Sequence, residues 1–255
     1  MKKFLQSLLL LICIAVFLFS AWKLYGIWKE YQAGDEIYNS IRKQASSPDS
    51  DSQSGHSSGQ ENSLPKSTLD DLVNLNALLE INADTIGWIQ IPDSAVNYPI
   101  LQAGDNDKYL YRTITGESNK AGCIFADYRN QQPFADANTT VYGHNLLNGK
   151  MFNDLMNYEK KDWWKTHPDI YIQSENGTYL YQVYSCYRTI ADSQAYEFNL
   201  QNNTEEFKNF LSWTLKQALY PTNCKPKPTD HIVTLSTCTN EEDKERFVVH
   251  AVLIK

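Results

Sequence analysis

Residues 4–22, FLQSLLLLICIAVFLFSAW, carry no charged side chain. As a helix the stretch is roughly 28 Å long, about the thickness of a bilayer's hydrocarbon core. A segment this apolar must either lie in lipid or be removed. A signal peptide needs small residues at −3 and −1 of its cleavage site. Cutting after Ser20 places Leu18 at −3, and cutting after Ala21 places Phe19 there. Both are too large, so the expectation is an uncleaved anchor. Lys2 and Lys3 before the span favour an N-terminus inside, a bias that Lys23 and Lys29 beyond it reduce. Trp22, Tyr25 and Trp28 suit the far membrane interface.

The anchor divides the chain. Residues 1–3 form a cytoplasmic tip, 4–22 the span, 23–66 a juxtamembrane helix and a tether, and 67–255 a folded domain exposed outside. Within the third part, SSPDSDSQSGHSSGQENS (46–63) is Ser/Gly/Asp-rich and nearly free of apolar side chains. Such a composition buries too little surface to fold, so a flexible tether is expected. With 42% hydrophobic residues in the whole chain, the domain can build a sizeable core. The net charge of −7 and the lack of a basic block argue against nucleic acid as a partner.

In the domain, Ser67 with Asp70 resembles a capping box. Leu69, Leu72, Val73, Leu75 and Leu79 after it give an imperfect helical stripe over 69–79. GWIQI (87–91) and VNYPIL (96–101) read as strands around the turn Pro92–Asp93–Ser94, and 121–130 and 139–145 each contain another. Residues 149–168 read as a helix ended by Pro168, with Met151, Phe152, Leu155, Tyr158 and Trp163 inward. Two β runs flank Asn176–Gly177, a strong hairpin signal. TEEFKNFLSWTLKQALY (204–220) is amphipathic. Phe207, Phe210, Leu211, Thr214, Leu215 and Ala218 share a face, Thr204 is a fitting N-cap, and Pro221 is the stop. Strands at 231–238 and 246–254 close the chain. Short strands without a βαβ repeat predict a mixed or antiparallel barrel rather than a doubly wound sheet.

The chemistry is narrowed by what is missing. The sequence has no phosphate-binding loop, no dinucleotide fingerprint, no zinc spacing and no serine-hydrolase elbow, so no metal or cofactor is expected. Five cysteines stand at 13, 123, 186, 224 and 238, with no CxxC and no disulfide framework. A cysteine nucleophile acts as thiolate and needs a nearby base or cation. Of the histidines in the domain, His167 sits at a helix end, His231 opens a strand with parity opposite to Cys238, and His250 reads as a satisfied barrel residue. His144, in YGHN, stands where a strand meets a loop. That position suits a site as readily as a structural role. Arg246 lies eight residues past Cys238 across TNEEDKE. A strand-start arginine is ordinarily a solvated edge residue. Two antiparallel strands joined by that loop would instead set it beside the thiol, with donors for a developing oxyanion. Glu241 and Glu242 read as solvated loop residues, either of which could touch a substrate.

These segments resemble the class B sortases. TLSTC (234–238) is similar to the family's TLxTC signature at the nucleophile, RFVVHA (246–251) to its arginine strand, and YGHN (142–145) to its histidine segment. GWIQI, VNYPILQ and KAGCIFADYRN are similar to class B sequence in the same order, so the resemblance spans roughly 70–255. It implies a mainly β fold: a closed barrel of about eight strands, an N-terminal helical segment, and a long helix before the last two strands. It implies that Cys238 is the nucleophile, His144 the general acid/base and Arg246 the oxyanion or substrate stabiliser. Ser236, Thr237, Asn145 and Glu241 would contact substrate. The activity implied is transpeptidation. A sorting pentapeptide on a surface protein is cut after Thr through a Cys thioester, and the protein is passed to a peptidoglycan or precursor amine. An exported cysteine hydrolase and a non-catalytic tethered module are the competing readings.

Overall fold

The computed structural model describes residues 2–46, 69–70, 72–242 and 244–255. The tether expected over 46–63 and the capping-box Ser67 lie outside the described residues, Ser46 apart. Helix α1 runs unbroken over Lys2–Ala45 and joins the apolar span to the juxtamembrane segment. Its apolar side chains from Phe4 to Trp28 are exposed, as a lipid-facing surface requires.

Eight strands close into a barrel in the order β1-β2-β3-β4-β7-β8-β6-β5. They are β1 (Thr85–Gln90), β2 (Asn97–Leu101), β3 (Ile124–Ala126), β4 (Asn138–Tyr142), β5 (Asp169–Ser174), β6 (Gly177–Ile190), β7 (Ile232–Cys238) and β8 (Glu245–Leu253). The β2–β3 and β4–β7 pairs are parallel and the others antiparallel, so the barrel is mixed. Alternation fills it: Val233 and Leu235 of β7 and Phe247, Val249 and Ala251 of β8 join the main core. Their neighbours Ile232 and Val252 face the other way, under helix α4 (Glu205–Gln217) and its Phe207, Phe210 and Leu211. Thr204 caps α4 as expected, accepting from Phe207 N at 3.2 Å. The helix ends at Gln217, short of Pro221, and Leu215 is 38% exposed rather than on the buried face.

Two other helix expectations are corrected. The stripe over 69–79 is helical only in α2 (Leu75–Ile81), capped by Asn74. The earlier residues are claimed by the barrel. Leu69 bridges to Thr178, Gln173 Oε1 accepts from Leu72 N at 2.8 Å and Val73 N at 2.9 Å, and Gln173 Nε2 donates to Val73 O at 2.8 Å. Backbone groups bonded to a strand side chain cannot also build a helical turn. Residues 149–168 break into a 3-10 helix (Asn153–Glu159) and α3 (Lys161–Thr166), with Met151, Phe152, Leu155 and Tyr158 buried as expected.

The lower part of α1 lies against the barrel. Asn119 Nδ2 donates to Glu30 O at 3.0 Å, and Lys120 pairs with the Glu30 carboxylate at 3.2 Å. The Tyr38 hydroxyl donates to Gly122 O. Arg42 donates to Asn97 O at 3.0 Å and lies over the Tyr98 ring. Asn74 N donates to Ala45 O at 2.9 Å, so the chain on either side of the Ser/Gly-rich segment meets there.

Candidate active site

The barrel order decides which residues can meet. Strands β4 and β7 run parallel, with Tyr142 level with Ser236. Gly143 N donates to Ser236 O at 3.1 Å, and the Thr237 hydroxyl donates to Gly143 O at 2.8 Å. Continuing the register brings His144 level with Cys238 at the same rim. Strand β8 runs antiparallel to β7, and its Arg246 is the direct partner of Cys238. Three adjacent strands therefore deliver His144, Cys238 and Arg246 to one end of the barrel.

Strand parity sets the Cys238 side chain, and that of its partner Arg246, on the outer face of the wall. Thr234, Ser236 and Cys238 alternate with the inward Val233 and Leu235, and Thr234 bonds to His250 while Ser236 bonds to the Tyr196 hydroxyl at 2.7 Å. Gly143 has no room for a side chain: a Cβ there would sit 2.7 Å from the Phe152 ring. The glycine of YGHN thus lets β4 turn into its loop against the 3-10 helix.

His144 Nε2 lies 2.6 Å from Leu110 O. A carbonyl only accepts, so Nε2 carries the proton, and among the described residues Nδ1 has no hydrogen-bond partner. The ring stacks on Tyr111 with centroids 5.5 Å apart. Burial holds its pKa below the usual 6.5, partly offset by the Leu110 carbonyl. The Cys238 side chain is free and half-exposed. The other four cysteines are also free. Cys123, Cys186 and Cys224 are buried, and burial raises each of their thiols, Cys123 to about 12.

Four further residues were expected at the substrate. Ser236 is beside the thiol but spends its hydroxyl on Tyr196. Thr237 has the opposite parity and is buried, and its hydroxyl donates to the β4–β7 seam at Gly143 O. Asn145 Nδ2 donates to Cys238 O at 2.9 Å, and its Oδ1 accepts from Asn153 Nδ2 at 2.6 Å. It ties the histidine segment to the cysteine strand. Glu241 gives both carboxylate oxygens to Arg188, at 2.7 and 2.9 Å, and Arg188 also holds Glu159 and Glu245. The acidic β7–β8 loop is thereby fastened to β6.

Tyr196 was not singled out by the sequence. It ends a 3-10 turn (Gln194–Tyr196) between β6 and α4, a connection without a motif. Its hydroxyl is pushed up to about 12, mainly by burial. The Ser236 hydroxyl and the nearby charge of Arg246 partly offset that rise. It packs beside Tyr142 and roofs this end of the wall.

A sortase-domain family model matches residues 89–254. A sortase B of Listeria monocytogenes is 36% identical over 99% of this chain and 98% of its own length. This chain belongs to the sortase family, class B. A sortase B structure from Bacillus anthracis matches 90% of this sortase and all of that chain, at 31% identity and a TM-score of 0.72. A Staphylococcus aureus sortase B–substrate complex matches 71% of this chain and 85% of that one, at 32% identity and a TM-score of 0.67. Sortases are cysteine transpeptidases, so the protein is an enzyme of that kind. Its apolar N-terminal helix is of the length that anchors a chain in a membrane.

Proposed function

We propose that this sortase cuts a C-terminal sorting pentapeptide after Thr and transfers the carrier protein to a cell-wall amine, with Cys238 as nucleophile, His144 as acid and base, and Arg246 as stabiliser of the oxyanion. The observation that carries the reading is the register: Arg246 faces Cys238 directly, and the parallel β4–β7 pair ends at Tyr142 and Ser236, each two residues before His144 and Cys238. The Cys238 sulfur attacks the threonyl carbonyl as its proton passes to His144. The tetrahedral oxyanion forms within reach of the Arg246 donors. When the C–N bond breaks, the imidazolium returns its proton to the departing amine and a thioester remains. An incoming amine gives a proton to His144 as it attacks the thioester, and the thiolate leaves with a new amide formed. Nδ1 of His144, with Nε2 engaged by Leu110, is the nitrogen assigned to these transfers.

The N-terminus lies inside and the barrel outside, where both substrates are found. The Staphylococcus aureus sortase B solved as a substrate complex supports the assignment of substrate binding to this barrel. Arg246→Ala separates transfer by this route from a cysteine hydrolase that needs no arginine beside its thiol. In full-length enzyme with a sorting peptide and an amine acceptor, turnover should fall about 10²- to 10³-fold, the scale of losing an oxyanion donor, with the unfolding temperature unchanged. Full turnover in that variant, or hydrolysis only in the wild type at saturating acceptor, would refute the proposal.

A further inference from the structure

Helix α1 and the histidine of the site touch the same stretch of chain. The β2–β3 connection, residues 102–123, carries Leu110, whose carbonyl accepts from His144, and Tyr111, whose ring stacks on it. It also carries Asn119, Gly122 and Cys123, which meet α1. The middle of this connection is folded onto its C-terminal end. Cys123 N donates to Tyr109 O at 2.9 Å, Asn119 N to Tyr111 O at 3.1 Å, and the Cys123 thiol to Arg112 O at 3.1 Å. Gly122 has φ +57, and a Cβ there would lie 2.5 Å from Leu110 O, so the turn that Tyr38 grips is packed directly on the carbonyl that His144 uses.

We propose that α1 is part of the catalytic apparatus: Tyr38 and the Glu30–Asn119 contact act as positioning elements that brace the β2–β3 connection and thereby hold His144 in place. The inference rests on His144 being the acid/base of the proposed reaction. Its physical basis is the short path. From the Tyr38 hydroxyl the route runs through Gly122 to Leu110 and the imidazole. From the Glu30 carbonyl it runs through Asn119 to Tyr111, stacked on the same ring. Tyr38 is 3% exposed and its ring meets Tyr98 edge-on, so its hydroxyl is fixed rather than swinging. A histidine displaced by a fraction of an ångström loses proton-transfer efficiency without losing substrate affinity.

The test uses the full chain in nanodiscs. Tyr38→Phe keeps the ring and removes the hydroxyl, and Asn119→Ala cuts the second path. Arg42→Gln is the control, since it loosens α1 at Asn97 without touching the connection. Each of the first two should lower kcat about fivefold with KM within about twofold, the size expected for slight misplacement of a catalytic group. Each should also move the imidazole titration of His144, followed by NMR, upward toward 6.5 as water reaches a ring that burial now depresses. Arg42→Gln should leave both within error. An unmoved titration in Tyr38→Phe and Asn119→Ala would overturn the proposal, as would an equal shift in Arg42→Gln. The titration needs no substrate, so it reports on the brace even if the peptide reaction itself were to fail.

Discussion

His144 and His250 stand on neighbouring parts of the same barrel wall and are held in opposite ways. His250 is fully buried under α4. Its Nε2 meets the Tyr187 hydroxyl at 2.8 Å and its Nδ1 the Thr234 hydroxyl at 2.9 Å, with the Phe210 and Tyr184 rings around it. Both nitrogens are satisfied by groups that suit a neutral ring, and burial lowers its pKa to about 3. His144 sits at the rim with one nitrogen fixed and the other without a partner among the described residues. The first arrangement consumes all the chemistry an imidazole has. The second orients the ring and leaves half of it available. What separates the two histidines is the count of satisfied nitrogens, not burial alone.

The contrast can be broken at either end. His144→Ala should cost about 10³-fold or more in turnover, the order seen when an acid–base partner of a nucleophile is removed, while the unfolding temperature stays put. His250→Leu should do the reverse. It leaves the Tyr187 hydroxyl buried without its partner and should destabilise the fold by about 2–3 kcal/mol, with kcat little changed in the folded fraction, as read by urea unfolding and steady-state assays. A stable, inactive His250→Leu would dissolve the distinction.

pH sharpens it. A folded-state pKa below the unfolded 6.5 means that the unfolded chain takes up the proton first as pH falls. The stability contributed by neutral His250 is present above about pH 6.5 and is lost progressively as pH drops toward 3. Unfolding free energies measured between pH 7 and pH 4 should fall steeply in the wild type and less steeply in His250→Leu. His144, shifted in the same direction by burial, should place the acid limb of the kcat/KM profile below 6.5. Thr237→Val gives the smallest effect. Losing the hydroxyl bond to Gly143 O should cost about 1 kcal/mol of stability and a modest loss of rate, since it loosens the β4–β7 seam behind both His144 and Cys238.

Local signals made much of this molecule legible. Asn176–Gly177 does separate β5 from β6, Thr204 does cap α4, and Cys238 and Arg246, eight positions apart, do pair on antiparallel strands. What escaped depends on contacts between distant segments. Gln173 takes the backbone of Leu72 and Val73 away from a helix that their side-chain spacing favours. The bond from the Thr237 hydroxyl to Gly143 O depends on the pairing of β7 with the end of β4, which no local pattern shows. Tyr196 reaches Ser236 only because the β6–α4 connection folds over the wall, and the seating of α1 on residues 119–123 leaves no periodic trace. Identity at the site came from short motifs; its geometry came from the parallel pairing of β4 with β7.

The central claim is that Cys238, flanked by Arg246 and level with His144, forms the acyl-enzyme. Intact-mass spectrometry of the full-length enzyme, quenched in acid after mixing with a sorting-motif peptide, tests it directly. A mass gain equal to the peptide fragment ending in Thr, confined to Cys238, removed by hydroxylamine and absent in Cys238→Ala, is the predicted result. Peptide cleavage by Cys238→Ala, or an adduct on any other residue, would contradict it.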